Sequence, residues 1–291
     1  MALEAALADC RTTADFYRVQ IDAENLMAPL EVTALAARAE ALPEPARPWI
    51  ERLNGLVRRV RPEPEPFHRR EIAPHVHLYE GTGEPRDLVI GLTGVALRLM
   101  MPAAPVLQAF DASRCDVLVL ADADRTCFLS GLAGYAEGPE AAVRRLAQDL
   151  PLSRYAAIRT FGTSAGGAAA LAYGAQLGAR VAMSLGGSHP FTLSPRRARG
   201  QVLDRHVFDR MIAGAPPGAT RLLCIFAEMH ARDAVRTRLQ AIGLPGARAV
   251  SVKGLPHHGV ITGLFHSNAL VRFFEEWLFA ETPPEGRDWA P

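Results

Sequence analysis

The residue best placed to do chemistry is Ser164, in the run Gly162-Thr163-Ser164-Ala165-Gly166-Gly167. A serine hydroxyl is a poor nucleophile until a base removes its proton, and the base needs an acid to orient it. The G-x-S-x-G spacing suits a nucleophile on a sharp strand-to-helix turn, where the backbone is strained and only small neighbours fit. An apolar run, YAAIRTF at 155–161, leads into it, and an alanine-rich stretch follows. The start of that helix turns free N–H groups and a positive dipole end toward a developing oxyanion. A competing reading is a glycine-rich turn of a nucleotide-binding sheet. It finds no G-x-G-x-x-G after the first apolar strand and no Walker lysine before a serine or threonine.

A serine held this way is followed along the chain by its acid and then by its histidine. The last strand-like run, ARAVSV at 247–252, leads into Lys253-Gly254-Leu255-Pro256-His257-His258-Gly259. His258 is the preferred base, because Gly259 frees the loop and Val260 can start a docking helix; His257 is the reserve. The acid is expected after RLLCIF at 221–226. Asp233 is preferred because it lies further into the loop, where an acid can turn back toward the histidine. Glu228, directly at the strand end, is the reserve, and Asp233 would also serve as an N-cap of the helix AVRTRLQAI. The oxyanion would be held by the Ala165 N–H and by one from Thr93-Gly94-Val95-Ala96, with Val95 the preferred second donor.

These residues need a frame. From about residue 70 the sequence alternates strand-like runs, HVHLYE, DLVIGL, CDVLVLA, YAAIRTF, ARVAMSL, RLLCIF and ARAVSV, with several helix-length stretches. Apolar strands separated by helices predict an α/β fold whose doubly wound, mainly parallel sheet is covered on both faces, with ligands beyond the carboxyl ends of the strands. Residues 1–66 are read as an N-terminal helical extension and linker. Leu26, Leu30 and Leu35, then Ile50, Leu53 and Val57, recur at roughly helical spacing, and Pro43, Pro45 and Pro48 divide them. RPEPEPF at 61–67 reads as a stiff linker. Residues 67–280 form the catalytic domain, with a small lid at about 187–215, and 281–291 are a C-terminal tail.

The net charge of +1 gives no reason to expect nucleic acid as a partner, and no apolar run approaches membrane-spanning length. The N-terminus carries Glu4 and Asp9 and lacks a basic region of the secretory type. Cys10, Cys115, Cys127 and Cys224 fit no metal or redox spacing and point to a reducing, cytoplasmic setting. His75 and His77, with His68 nearby, have a spacing that can bind metal on a strand, but no third ligand is evident. Neither a metal nor a cofactor is expected.

The arrangement resembles the α/β-hydrolase superfamily over about residues 70–280, through the loop Thr93-Gly94-Val95, GTSAGG at 162–167, the acid loop near Asp233 and His258. The stretches LADADRTCFLSGLAG and FGTSAGGAAALAYGAQLGA are similar to those of uncharacterised bacterial hydrolases. Two departures stand out: no His-Gly-Gly follows DLVIGL, and the acid loop lacks the common Gly-x-x-Asp spacing. The resemblance implies a serine hydrolase acting on a small-molecule ester or thioester through an acyl-enzyme. Two alternatives are an acyltransferase using the same residues and a non-catalytic accessory protein docking a protein partner through the N-terminal helices. Arg196, Arg197 and Arg199, in the lid segment, are candidates for gripping an anionic substrate tail, against a plain reading as a solvated face.

Overall fold

The computed structural model describes residues 2–84, 86–194, 198 and 200–291. Its strands are β1 (His68–Ala73), β2 (Val76–Glu80), β3 (Arg86–Leu92), β4 (Cys115–Leu120), β5 (Gly131–Leu132), β6 (Ala136–Glu137), β7 (Tyr155–Thr163), β8 (Val181–Leu185), β9 (Arg221–Ala227), β10 (Arg248–Val252) and β11 (Asp288–Trp289). β5 and β6 form a separate small hairpin, and the others make one sheet in the order β1-β2-β4-β3-β7-β8-β9-β10-β11. β2 runs antiparallel to β1 and β4; the remaining pairs are parallel.

The helices are α1 (Ala2–Ala8), α2 (Thr13–Leu26), α3 (Pro29–Ala36), α4 (Ala46–Val60), α5 (Ala103–Leu107), α6 (Pro139–Asp149), α7 (Gly167–Gln176), α8 (Val207–Ala213), α9 (Ala231–Gly243), α10 (Val260–His266) and α11 (Leu270–Phe274). Side chains alternate across the strands, so each strand serves two cores. Leu88, Ile90 and Leu92 of β3 pack with Leu118, Leu120, Leu146, Ala169 and Tyr173 under α6 and α7. Val89, Val117, Phe161, Met183 and Ile225 pack on the opposite face with Phe110, Phe273, Phe274 and Trp277. Each large apolar side chain buried this way contributes about 1.5–3 kcal/mol relative to leaving it in water.

One charge lies inside this frame. Arg159, in the middle of β7, is buried with its Nε 2.8 Å from Asp87 Oδ2, and its Nη1 donates to the Leu278 carbonyl at 2.6 Å. Burial of a guanidinium is tolerable only because these partners are present, and stranding either charge would cost about 3–5 kcal/mol.

The N-terminal helices form their own small core. A capping box starts α2, with the Asp15 N–H donating to Thr12 Oγ1 at 3.1 Å and the Thr12 N–H to Asp15 Oδ2 at 3.0 Å. α4 buries Trp49, Ile50, Leu53 and Val57, one stripe at helical spacing, against Met27, Val32, Leu35 and Ala104 of α5. The layer is tied to the sheet, since the Tyr79 hydroxyl donates to the Leu26 carbonyl at 2.7 Å. The proline-rich stretch at 61–67 is anchored along its length: Gln108 donates to the Arg61 and Glu63 carbonyls and accepts from the Glu65 N–H, and Phe67 is buried.

Two differences from the sequence reading concern the sheet and its strands. β1 escaped notice because Arg69, Arg70 and Glu71 mark a charged edge strand rather than an apolar one. The sheet continues beyond residue 280, where β11 pairs in parallel with β10 and Trp289 packs 5.3 Å from the Phe273 ring. His77 is buried in β2, and burial pushes its pKa down to about 4, so the ring is neutral at pH 7. None of the four cysteines is in a disulfide, and burial pushes the Cys224 thiol up to about 12. Among the described residues no helix is long and apolar enough to cross a membrane.

Candidate active site

β7 runs along the middle of the sheet and ends at Thr163, and the chain turns at once into α7. Ser164, at that turn, has φ +49°, a left-handed backbone that a non-glycine residue adopts only under local constraint. The turn is tight enough to dictate its neighbours. A Cβ at Gly162 would collide with the Gly166 carbonyl, and one at Gly166 would come within 2.6 Å of the Leu92 oxygen. A strained serine on a strand-to-helix elbow, in a mainly parallel sheet with an antiparallel second strand, decides the fold. The fold is that of the α/β hydrolases.

The acid and the histidine expected from the sequence lie in the segments that follow the later strands. The loops after β9 and β10 are laced together: the Glu228 N–H donates to the Val252 carbonyl at 3.0 Å and the Met229 N–H to the Leu255 carbonyl at 3.1 Å. α9 begins at Ala231, earlier than the sequence implied, so Asp233 stands inside its first turn rather than on a loop or at the N-cap. Asp233 is 2% exposed, and its Oδ2 lies 2.6 Å from Nδ1 of His258, at the end of the β10 loop. His230 Nδ1 lies 3.0 Å from the same oxygen.

Ser164, His258 and Asp233 line one cavity of about 470 Å³, together with Val95, Ala165, Cys127, Ser188, Thr192, Leu193, Ser194, His230, Arg232 and Arg236. The loop after β3 reaches the serine, since a Cβ on Gly94 would stand 3.4 Å from Ser164 Cβ. Val95 and Ala165 line the cavity beside Ser164. Arg98 fastens this loop: its carbonyl accepts the Gly94 N–H at 2.9 Å and the Thr163 hydroxyl at 3.3 Å. Across the cavity, the Ser188 N–H donates to the Ser164 carbonyl at 2.8 Å. The loop after β4 contributes Cys127 and is held by buried Asp122, which accepts the Phe128 N–H at 2.8 Å.

The two reserve residues are engaged elsewhere or turned outward. Glu228 is held by Lys253 Nζ at 2.6 Å and by the Gly254 N–H at 3.0 Å, a pairing that lowers its pKa. His257 is exposed. Within the segment expected to form a lid, Ser188 and Thr192–Ser194 line the cavity, whereas α8 packs Val207, Phe208 and Met211 into the core beneath α7. Arg196, Arg197 and Arg199 lie outside the described residues. The sequence reading passed over His230, Arg232 and Arg236, which line the cavity beside Asp233.

Among the described residues, the group of three metal-capable side chains is His230, Asp233 and His258, with ligand atoms within 4.8 Å of one another. His75 and His77 are not part of it. The group shares its acid and one imidazole with the Ser164 cavity, and the His258–Asp233 contact is already a short hydrogen bond, which accounts for the cluster without a metal.

No family model matches the chain, and no curated protein matches it by sequence. Solved structures similar to it include a dienelactone hydrolase from Anabaena variabilis, 16% identical, with a TM-score of 0.43 over 73% of this chain and 99% of that one. A serine hydrolase without a lid from Xanthomonas campestris is 14% identical, with a TM-score of 0.41 over 74% and 97%. The 2,6-dihydroxy-pseudo-oxynicotine hydrolase is 13% identical, with a TM-score of 0.46 over 98% and 95%.

Proposed function

We propose that this chain is a serine hydrolase that cleaves a carboxylic ester or thioester through an acyl-enzyme. The observation that carries the reading is the 2.6 Å contact between His258 Nδ1 and buried Asp233, in a cavity that Ser164 also lines. Asp233 accepts a hydrogen bond from the Nδ1–H and fixes the tautomer, which leaves Nε2 as the base for the serine hydroxyl. Ser164 Oγ attacks the carbonyl carbon, and the oxyanion is held by the backbone N–H groups of Val95 and Ala165. The intermediate collapses as His258 returns the proton to the departing alcohol or thiol. Water, activated by the same imidazole, then releases the acid. The four cysteines, all thiols, support a reducing, cytoplasmic setting for this chemistry.

The test is turnover of p-nitrophenyl butyrate and of a short acyl thioester by the purified protein. Ser164→Ala is expected to lose at least about 10⁴-fold in kcat. Turnover equal to the parent protein in that variant would overturn the reading. Product analysis with an added acceptor alcohol reads the balance between hydrolysis and acyl transfer, because an acyltransferase would deliver a new ester in place of free acid.

A further inference from the structure

The cavity beside Ser164 carries more positive charge than the chemistry of a serine, a histidine and an acid requires. Arg232 and Arg236 both line it, four residues apart on α9 and therefore on one face of that helix. Arg236 is half-buried and Arg232 is exposed. Among the described residues neither guanidinium has an ion-pair or hydrogen-bond partner, whereas Arg238, two residues beyond Arg236, lies over the Phe226 ring with its Cζ 5.3 Å from the centroid. Arg232 is also badly placed for helix stability. It sits in the first turn of α9, where the macrodipole favours an anion and disfavours a cation. The acid of that turn, Asp233, is already occupied by His258 and His230.

We propose that Arg232 and Arg236 form the recognition site for a carboxylate on the substrate, so that the hydrolase acts on anionic esters. This rests on the serine-hydrolase reading and names its substrate class. Among the described lining residues two arginines face a single carboxylate, Asp233, and one carboxylate on the ligand balances that excess. A guanidinium fork matches a carboxylate in two parallel hydrogen bonds, which lysine cannot reproduce. The hydroxyl-bearing residues Ser188 and Thr192 line the same cavity and add polar groups to it. The reacting carbonyl is then set at Ser164 by a charge held along α9.

The experiment compares the p-nitrophenyl monoester of succinate, which carries a free carboxylate, with p-nitrophenyl butyrate, which does not. The parent protein is expected to prefer the anionic ester in kcat/KM by at least about 10-fold, lost in the double variant Arg232→Ala/Arg236→Ala mainly through KM. Arg238→Ala, on the same helix but outside the cavity, keeps the preference. Equal preference in the parent and double variant overturns the proposal. Calorimetric titration of the Ser164→Ala protein with N-phenylsuccinamic acid and with N-phenylbutyramide reads the same preference without turnover. Tighter binding of the acid, lost on removing the two arginines, supports the carboxylate site even where no ester is hydrolysed, in which case the hydrolase reading alone fails. Equal binding of the two compounds overturns the site.

Discussion

Asp233 and Glu228 follow the same strand, and His257 and His258 are adjacent, yet geometry separates each pair. Asp233 is buried and meets His258 Nδ1 at 2.6 Å in the cavity, whereas Glu228 pairs with Lys253 and is not among the residues that line it. Asp233→Asn places an amide donor opposite Nδ1 and favours the wrong tautomer. It is expected to lower kcat about 10³- to 10⁴-fold, while Glu228→Gln stays within about twofold; steady-state turnover of p-nitrophenyl butyrate checks both. At this scale the sequence was informative where chemistry constrains residue type. Ser164 was legible because the elbow tolerates so few neighbours. His230, Arg232 and Arg236 were not, because a histidine or arginine at a helix start has no spacing that separates a cavity wall from a solvated face.

The elements that hold the site include one whose role was hidden. The apolar runs betrayed β2–β4 and β7–β10, because strands buried on both faces have no freedom to be polar. The N-terminal helices were legible as helices but not as supports, since a tie between distant segments leaves no local pattern. Buried Glu24 of α2 accepts from Trp49 Nε1 at 2.9 Å and meets Arg98 Nη2 at 2.9 Å, and the Arg98 carbonyl fastens the loop that carries Val95. Glu24→Ala strands the Trp49 donor and frees Arg98, at a stability cost of about 1–3 kcal/mol. If the helices brace the oxyanion loop, the variant loses about 10-fold in kcat with KM little changed. A lower melting temperature with unchanged kcat would show that α2 supports only the fold.

At the scale of the whole molecule, stability should depend on pH through His77. Burial first, and the Arg69 charge second, lower its pKa from 6.5 to about 4. Between those values the unfolded chain binds a proton that the folded one refuses, so stability present above pH 6.5 is lost as pH falls toward 4, by about 3 kcal/mol. Denaturant titrations across that window should show this loss, and His77→Gln should flatten it; an unchanged slope would assign the dependence to other groups. The frame that these titrations read holds Ser164 in a strained turn and His258 in the same cavity, and the proposed function makes the serine an activated nucleophile. The most direct measurement of that claim is labelling of the purified, folded protein with a fluorophosphonate probe, located by peptide mass spectrometry. The account predicts label on Ser164, abolished in His258→Ala and retained in His257→Ala. A folded protein that leaves Ser164 unlabelled, or that labels equally without His258, would contradict it.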